Sequence, residues 1–153
     1  MNNLFSKTAV LILLLLMSIG INAQSKRNLK QEETNKKIVS TLYQSFFGDK
    51  DTSAIDKYIV EDYIQHNPMV ADGRKALKDG VEKWFVGAPK EKIDIQHIAA
   101  DGDLVFIHLK SKGPDGKFTS VIDIFRLKNN KIVEHWDVIQ AVPEKSANNH
   151  PMF

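Results

Sequence analysis

The chain contains no cysteine among its 153 residues. Disulfide bonds, thiol catalysis and lipid attachment at a cysteine side chain are therefore excluded. A strong excess of one charge is also lacking, because 21 basic residues stand against 19 acidic residues with the two signs interspersed. Without a basic stripe or an acidic tail, the composition predicts no binding to nucleic acid or to a membrane surface.

A hydrophobic run long enough to cross a membrane is lacking as well. The longest run, AVLILLLLMSIGI, follows Lys7 and has 13 residues, whereas a spanning helix needs roughly 20. A basic residue, a short apolar region and then a small residue, Ala23, are typical of a secretory signal peptide. We therefore expect residues 1–23 to be cleaved, with an uncleaved membrane anchor as the alternative. The mature protein would then be exported, periplasmic or extracellular, and free of the membrane.

The rest of the chain has the pattern of one domain. Residues 24–31 are polar and are expected to form a flexible leader. We assign residues 32–142 to the domain and residues 143–153 to a C-terminal tail. No internal repeat, low-complexity segment or linker divides the domain, and an apolar content of 42% is enough to bury a core.

Apolar residues recur first at helical spacing. In the segment that begins at Glu32 they form one wide stripe, made of Ile38, Val39, Leu42, Tyr43, Phe46 and Phe47. A second, short helix is expected to begin at a cap on Thr52 or Ser53 and to reach Ile59. A third helix, RKALKDGVEKWF, follows Asp72-Gly73, and Pro68 makes the preceding YIQHNP segment a loop.

After Pro89 the apolar period changes from that of a helix to that of a strand. The alternation predicts four strands, at about residues 92–100, 104–112, 117–127 and 131–141. Short turns separate them, so consecutive strands should be antiparallel neighbours. Three helices followed by such a meander predict an α+β fold, in which the helices pack on one face of a curved antiparallel sheet.

Two of the predicted strands carry an aspartate on a mostly apolar face, Asp123 and Asp137. A three-residue loop from Asn129 to Lys131 would pair positions whose numbers sum to 260, which places the two aspartates opposite each other. A two-residue Asn-Asn turn would give odd sums and put the two carboxylates on opposite faces. The left-handed conformation open to Asn130 favours the three-residue loop.

Facing carboxylates would suit acid/base chemistry. At roughly 5 Å and an effective dielectric of about 20, two unit charges repel by about 3 kcal/mol, and burial also favours the neutral form. One aspartate would then hold a proton near neutral pH, as a general acid or base requires. The alternative is that one of them only accepts hydrogen bonds from His135, a tyrosine or backbone groups of the core.

Among the five histidines, His66 is the strongest candidate for a site residue. It lies beside Tyr63 and Gln65 in a predicted loop, and such loops line the open end of a sheet covered by helices. His97 and His108 lie in predicted strands, where a lone histidine more often has a structural role.

Four residues have side chains that could bind a metal ion: His66, His135, Asp123 and Asp137. The sequence has no HxxxH or HxH spacing to support such a site. We therefore predict no metal and no other cofactor.

Two stretches, YIVEDYIQHNPMVADGRKALKDGVEKWF and DIFRLKNNKIVEHWDVIQ, resemble the SnoaL-like polyketide cyclase family, within the nuclear transport factor 2-like superfamily. The similarity covers about residues 33–142, and its most specific parts are YIQHNP with the downstream GR and the closing KIVEHWDVIQ. The resemblance implies a cone-shaped α+β barrel, with a bent antiparallel sheet wrapped around three helices. It also implies a homodimer and a deep apolar pocket.

Roles for single residues follow from the same resemblance. The family's characterised cyclases close a ring by intramolecular aldol condensation without metal or cofactor, and an aspartate at the HWD position, here Asp137, is the acid/base. The position of Asp123 is occupied by histidine in some cyclases. His66 matches a pocket histidine that can hydrogen-bond the substrate. The substrate-binding candidates are Tyr63, Gln65, His108, His135, Trp84 and Phe125.

Two functional hypotheses remain. The first is an exported, cofactor-free acid/base enzyme (an aldol-type cyclase, isomerase or hydrolase) acting on a small apolar or carbonyl-containing molecule. In it Asp137 moves the proton, Asp123 tunes its proton affinity and His66 orients the substrate. The second is a non-catalytic binding module for a small molecule. A purely apolar ligand would leave two buried carboxylates at a cost, which favours the enzyme.

Overall fold

The computed structural model describes residues 27–113 and 115–153 of the chain. The predicted signal peptide and the first residues of the predicted leader lie outside these ranges. None of the helices within the described ranges is long and apolar enough to cross a membrane. The helical elements are α1 (Leu29–Tyr43), a π-helical turn (Gln44–Gly48), α2 (Ser53–Tyr58) and α3 (Arg74–Trp84). The strands are β1 (Ile59–Gln65), β2 (Asp94–Asp101), β3 (Leu104–Lys112), β4 (Phe118–Lys128) and β5 (Lys131–Ala141).

The α+β prediction is confirmed, and the strands form one five-stranded sheet in the order β1-β5-β4-β3-β2. Strands β2 to β5 are antiparallel neighbours, as the turn residues predict. The helices cover one face of the curved sheet. A single core joins Val39 and Leu42 of α1 with Ile107 of β3 and Phe125 of β4, all of them buried. Burial of this apolar stripe, rather than helix propensity, fixes α1 on the sheet.

Strand β1 lies where the sequence pattern predicts the end of a helix and a loop. It pairs in parallel with β5, with Gln65 opposite His135, after an irregular stretch that begins at Ile59. Its buried residues Ile59 and Tyr63 are four positions apart with two exposed residues between them, a spacing that fits one face of a helix as well as one face of a strand. The parallel partner is also distant in the sequence, so no local turn signals this pairing.

The predicted N-cap position of the second helix is confirmed, but its capping side chain is not the predicted one. Thr52 is the N-cap residue but makes no side-chain capping hydrogen bond. Asp51 takes this role, because its Oδ1 accepts hydrogen bonds from the Ser53 amide at 3.0 Å and from the Ser53 hydroxyl at 2.6 Å. An aspartate side chain that accepts from the amide two residues later forms an Asx turn, which is a common local hydrogen bond of this residue type.

The β4–β5 connection gives the predicted pairing by a different route. Asp123 and Asp137 are directly opposite, as predicted. The loop, however, has two residues, Asn129 and Asn130, with φ of 52° and 61°, the backbone that a type I′ hairpin turn requires. Arg126 then pairs with Glu134 while Leu127 pairs with Ile132, so Val133 forms a β-bulge. The bulge shifts the register by one residue and returns both aspartates to the same face.

Substitution of Gly48 tests how closely the chain packs at the end of the π-helical turn. A Cβ atom there would lie 2.8 Å from the backbone oxygen of Glu91, so we expect Gly48→Ala to lower the free energy of unfolding by about 1–3 kcal/mol. Gly80→Ala, inside α3, is the matched control, because its Cβ would meet only the Trp84 ring at 3.8 Å. The control should gain about 0.5–1 kcal/mol. Urea denaturation measures both, and equal effects would contradict the close approach.

Candidate active site

A cavity of about 430 Å³ lies between the helices and the concave face of the sheet. Most of its wall is apolar and includes Leu42, Phe46, Leu77, Trp84, Leu109, Phe125 and Ile139. One group of its polar residues, which we call the polar wall, consists of Tyr43, Tyr63, Gln65, Asn67, Asp123, His135 and Asp137. The other polar residues that line the cavity are Lys50, Glu91, Lys92, Asp94, Lys110, Ser111 and Lys112. An apolar cavity with a few convergent polar groups is the usual form of a small-molecule site.

Asp123, on β4, is buried in the polar wall with 3% of its surface exposed. The Tyr43 hydroxyl donates to its Oδ2, and the Nε2 atom of His135 lies 2.8 Å from its Oδ1. Tyr43 comes from the last turn of α1, so this helix and strands β4 and β5 meet at one carboxylate. Both oxygens of Asp123 are therefore engaged within the protein.

The orientation of the Gln65 amide determines which nitrogen of His135 carries hydrogen. A backbone N–H can only donate, and the Asn67 amide lies 2.9 Å from Gln65 Oε1. Gln65 Oε1 is therefore the acceptor side of the amide. The Nδ1 atom of His135, at 2.9 Å from the same oxygen, must then be the donor. Gln65 Nε2 donates in the opposite direction, to the Tyr63 hydroxyl at 3.0 Å.

This orientation leaves one proton in the contact between His135 and Asp123. With hydrogen on Nδ1, the pair is either an imidazolium with a carboxylate or a neutral imidazole with a carboxylic acid. In both cases one hydrogen lies between Nε2 and Oδ1, which are 2.8 Å apart. The buried side chains of Asp123 and His135 therefore share one proton next to the cavity.

Asp137 has a different environment from Asp123, although the two residues face each other. Asn67 Oδ1 accepts from the Met69 amide at 2.8 Å, so the Asn67 amide nitrogen points to Asp137 and donates to its Oδ2 at 2.5 Å. Asp137 Oδ1 has no hydrogen-bond partner among residues 27–113 and 115–153. This oxygen belongs to a half-buried carboxylate that lines the cavity.

The two tyrosines of the polar wall keep their protons. Burial, together with the charge of Asp123, raises the pKa of the Tyr43 hydroxyl well above its usual range. Burial and the carboxylates of Asp123 and Asp137 also raise the pKa of the Tyr63 hydroxyl. At neutral pH both groups are hydrogen-bond donors rather than bases.

Asp123, His135 and Asp137 are also the described residues that could hold a metal ion, since one ligand atom from each lies within 4.8 Å of the others. The ligand types suit a divalent cation. Both ring nitrogens of His135 are already hydrogen-bonded, to Gln65 and to Asp123, so His135 could bind an ion only by giving up one of these bonds.

The structure brings seven of the nine predicted site residues to the cavity. In the polar wall they are Asp123, Asp137, His135, Tyr63 and Gln65, and in the apolar wall they are Trp84 and Phe125. Sequence reasoning missed Tyr43 and Asn67. Tyr43 lies on the apolar stripe of α1 and looks like a core residue. Asn67 precedes Pro68, and nothing in the sequence marks its bond to Asp137.

His66 lies outside the cavity. Tyr63 and Gln65 of β1 face the cavity, so the next residue along the alternation faces away from it. The His66 Nε2 lies 2.8 Å from Glu134 Oε1, and its ring stacks on Trp136 with centroids 4.6 Å apart. This bond and Arg126 lower the pKa of Glu134.

His108 also lies away from the cavity, on the opposite face of the sheet. Its Nε2 is 2.8 Å from the Ser120 hydroxyl, and its ring stacks on His97 of the neighbouring strand. The alternation of β3 explains the position, because Ile107 and Leu109 on either side are buried in the core.

The fold is shared with several solved structures. A nuclear-transport-factor-2-like protein of unknown function from Burkholderia xenovorans has a TM-score of 0.62 and 17% identity, over 75% of this chain and 89% of that one. A candidate polyketide cyclase from Acidithiobacillus ferrooxidans has a TM-score of 0.58 and 21% identity, over 69% and 87%. An LEH-like epoxide hydrolase from M. tuberculosis has a TM-score of 0.59 and 16% identity, over 72% and 85%. At these identities the likeness establishes the fold alone.

The sequence itself settles the family. No functionally curated protein matches the chain. The profile of the family described as SnoaL-like polyketide cyclase matches residues 37–145, which include the whole polar wall and most of the described domain. The chain therefore belongs to the SnoaL-like polyketide cyclase family.

Proposed function

We propose that this protein is a cofactor-free acid/base enzyme that removes a proton from the carbon next to a carbonyl group in a small apolar compound. Asp137 is the base. The observation that carries this proposal is the asymmetry between the two facing aspartates. Asp123 has both oxygens engaged by Tyr43 and His135, whereas Asp137 keeps Oδ1 free at the cavity wall.

The cavity supports a substrate with an apolar body and a polar end. Its wall is mostly apolar, and its volume of about 430 Å³ falls in the range of small-molecule sites. A wholly apolar ligand would cover the Asp137 carboxylate without offering it a partner, at a free-energy cost. A carbonyl compound offers an acidic C–H there instead. Proton removal next to a carbonyl is also the common first step of aldol-type cyclisation and of isomerisation.

The remaining residues of the polar wall hold the base in place. Gln65 Oε1 accepts hydrogen bonds from both His135 and the Asn67 amide. Asn67 in turn donates to Asp137. The Asp123–His135 pair therefore positions Gln65, Gln65 positions Asn67, and Asn67 aims the carboxylate, as preorganised catalysis requires. His66 has no place in this chain of contacts.

Hydrogen exchange at carbon tests the proposal without knowledge of the natural substrate. The protein is mixed in D₂O with 1-tetralone, 2-tetralone and acetophenone, and loss of the hydrogens next to the carbonyl is followed by ¹H NMR. We expect at least one ketone to exchange faster than in buffer. Benzophenone, which has no such hydrogen, is used as a competitor to show that the reaction occurs in the cavity. Binding of these ketones without exchange would instead support the non-catalytic binding module.

Two properties expected from the sequence belong to the same proposal. Export of the mature chain rests on the run after Lys7. A homodimer is supported by apolar side chains on the outer face of the sheet, where Ile122 is 43% and Val138 is 67% exposed. Contacts between two such faces would cover them. Cell fractionation and analytical ultracentrifugation examine the two properties separately.

A further inference from the structure

The Tyr63 hydroxyl has a hydrogen that the protein does not use. Tyr63 lies on β1 with 2% of its surface exposed, and it lines the cavity. Its oxygen accepts a hydrogen bond from Gln65 Nε2 at 3.0 Å. Among the residues that the structure describes, none accepts a hydrogen bond from that hydroxyl.

The direction of the Tyr63–Gln65 bond is fixed independently of Tyr63. The Asn67 backbone amide can only donate, so Gln65 Oε1 is its acceptor and Gln65 Nε2 is the atom that points to Tyr63. The hydroxyl is therefore the acceptor in this bond, and its O–H remains available. Tyr43 differs in this respect, because its hydroxyl donates its hydrogen to Asp123.

A buried O–H without an acceptor is unfavourable unless a ligand supplies one. The neighbouring wall offers the acidic groups Asp123 and Asp137, and their charges help to raise the pKa of Tyr63. The hydroxyl thus stays protonated beside the proposed base. Tyr63 and Asp137 present complementary groups to the same cavity, a donor and an acceptor.

Resting on the proposed function, we infer that Tyr63 is the hydrogen-bond donor to the carbonyl oxygen of the substrate. In the reaction the C–H bond next to the carbonyl breaks and its proton passes to Asp137 Oδ1. The electron pair of that bond forms the C=C bond of the enolate, and the carbonyl π pair moves to oxygen. The Tyr63 O–H stabilises the negative charge that develops there.

The pairing of donor and acceptor narrows the class of ligand. A bound compound must place an oxygen acceptor against Tyr63 and a C–H or O–H against Asp137, with an apolar body between the remaining walls. An enol has this arrangement, because its oxygen accepts from Tyr63 while its own hydrogen is donated to Asp137. Phenols are stable compounds in which a hydroxyl group is attached to a C=C carbon, as in an enol, and 2-naphthol is a suitable probe.

Binding of 2-naphthol and of naphthalene to wild-type protein and to Tyr63→Phe tests the inference by calorimetry. Naphthalene has the same ring system without the oxygen, so it reports on the shape of the cavity. We expect Tyr63→Phe to weaken 2-naphthol binding about fivefold, as for one neutral hydrogen bond, and to change naphthalene binding by less than about twofold. Tyr58→Phe, which removes a hydroxyl outside the cavity, should change neither affinity.

Every other pattern overturns the inference. Unchanged 2-naphthol affinity in Tyr63→Phe would show that the hydroxyl does not reach the ligand oxygen. An equal loss for both probes would show that the residue only shapes the cavity. Wild-type protein that binds the two probes equally well, or binds neither, would also contradict a free donor. If the expected pattern holds but no ketone exchanges, the donor stands and the proposed proton transfer fails.

Discussion

Asp137→Asn is expected to slow hydrogen exchange at a bound ketone by roughly 10²- to 10⁴-fold, the usual contribution of a positioned general base. Asparagine has nearly the same shape, and its amide oxygen can still accept the hydrogen bond from Asn67. The group that faces the cavity becomes an NH₂, which has no capacity to take a proton. The affinity for the ketone should therefore change by only a few-fold, and exchange followed by NMR with binding followed by calorimetry separates the two effects.

Asp62→Asn is the matched control for this change. Asp62 is an exposed aspartate on β1, so its substitution removes the same charge without reaching the cavity. We expect the control to exchange hydrogen at the wild-type rate. If Asp137→Asn also keeps the wild-type rate, or only lowers the melting temperature, Asp137 is a structural residue and the binding module becomes the better description.

Substitution of Asp123 should affect stability in a way that depends on the replacing residue. Asp123→Ala leaves the Tyr43 hydroxyl and His135 Nε2 without their buried partner. The expected loss is about 3–5 kcal/mol of unfolding free energy, as for one member of a buried charged pair. Asp123→Asn should cost less than about 1 kcal/mol, because its oxygen can accept from Tyr43 while its NH₂ donates to a neutral His135.

Urea denaturation of the two variants at neutral pH provides the comparison. The difference between them depends on His135 carrying its hydrogen on Nδ1, since only then is Nε2 free to accept from an asparagine. Equal destabilisation by alanine and asparagine would show that His135 cannot accept at Nε2. In that case the account of the shared proton would be wrong.

The antiparallel part of the sheet was predictable because its signals are local. Period-two patterns and short turns determine β2 to β5, and the observed β5, Lys131–Ala141, agrees with the predicted range. The facing of Asp123 and Asp137 was predicted for an incomplete reason. The sequence does not reveal the β-bulge at Val133, which compensates for the two-residue turn.

Strand β1 could not be predicted from local sequence patterns. Its sequence, IVEDYIQ, has only two buried residues, and its pairing depends on residues of β5 that lie at least 70 positions later in the chain. The direction in which a side chain points depends on this pairing, so the position of His66 could not be predicted without it. The alternation of β1 turns Tyr63 and Gln65 inward and His66 toward Glu134.

The hydrogen-bond network of the site was beyond prediction for a similar reason. Tyr43, Gln65 and Asn67 come from α1, β1 and the loop after β1, and their contacts with Asp123, His135 and Asp137 exist only after these elements pack together. The residue types indicated acid/base chemistry. The division of roles between the two aspartates required the geometry.

The position of the hydrogen on the His135 ring tests the account most directly. ¹H–¹⁵N NMR of protein labelled at histidine nitrogen shows which ring nitrogen is protonated, and a His135→Asn variant assigns the signal. The account predicts a proton on Nδ1, donated to Gln65 Oε1. If Nδ1 carried no hydrogen, the Gln65 amide would have to be reversed. The Asn67 backbone amide would then lose its acceptor, and the Tyr63 hydroxyl would donate its hydrogen to the Gln65 oxygen. That result would contradict both the proposed base geometry and the proposed donor.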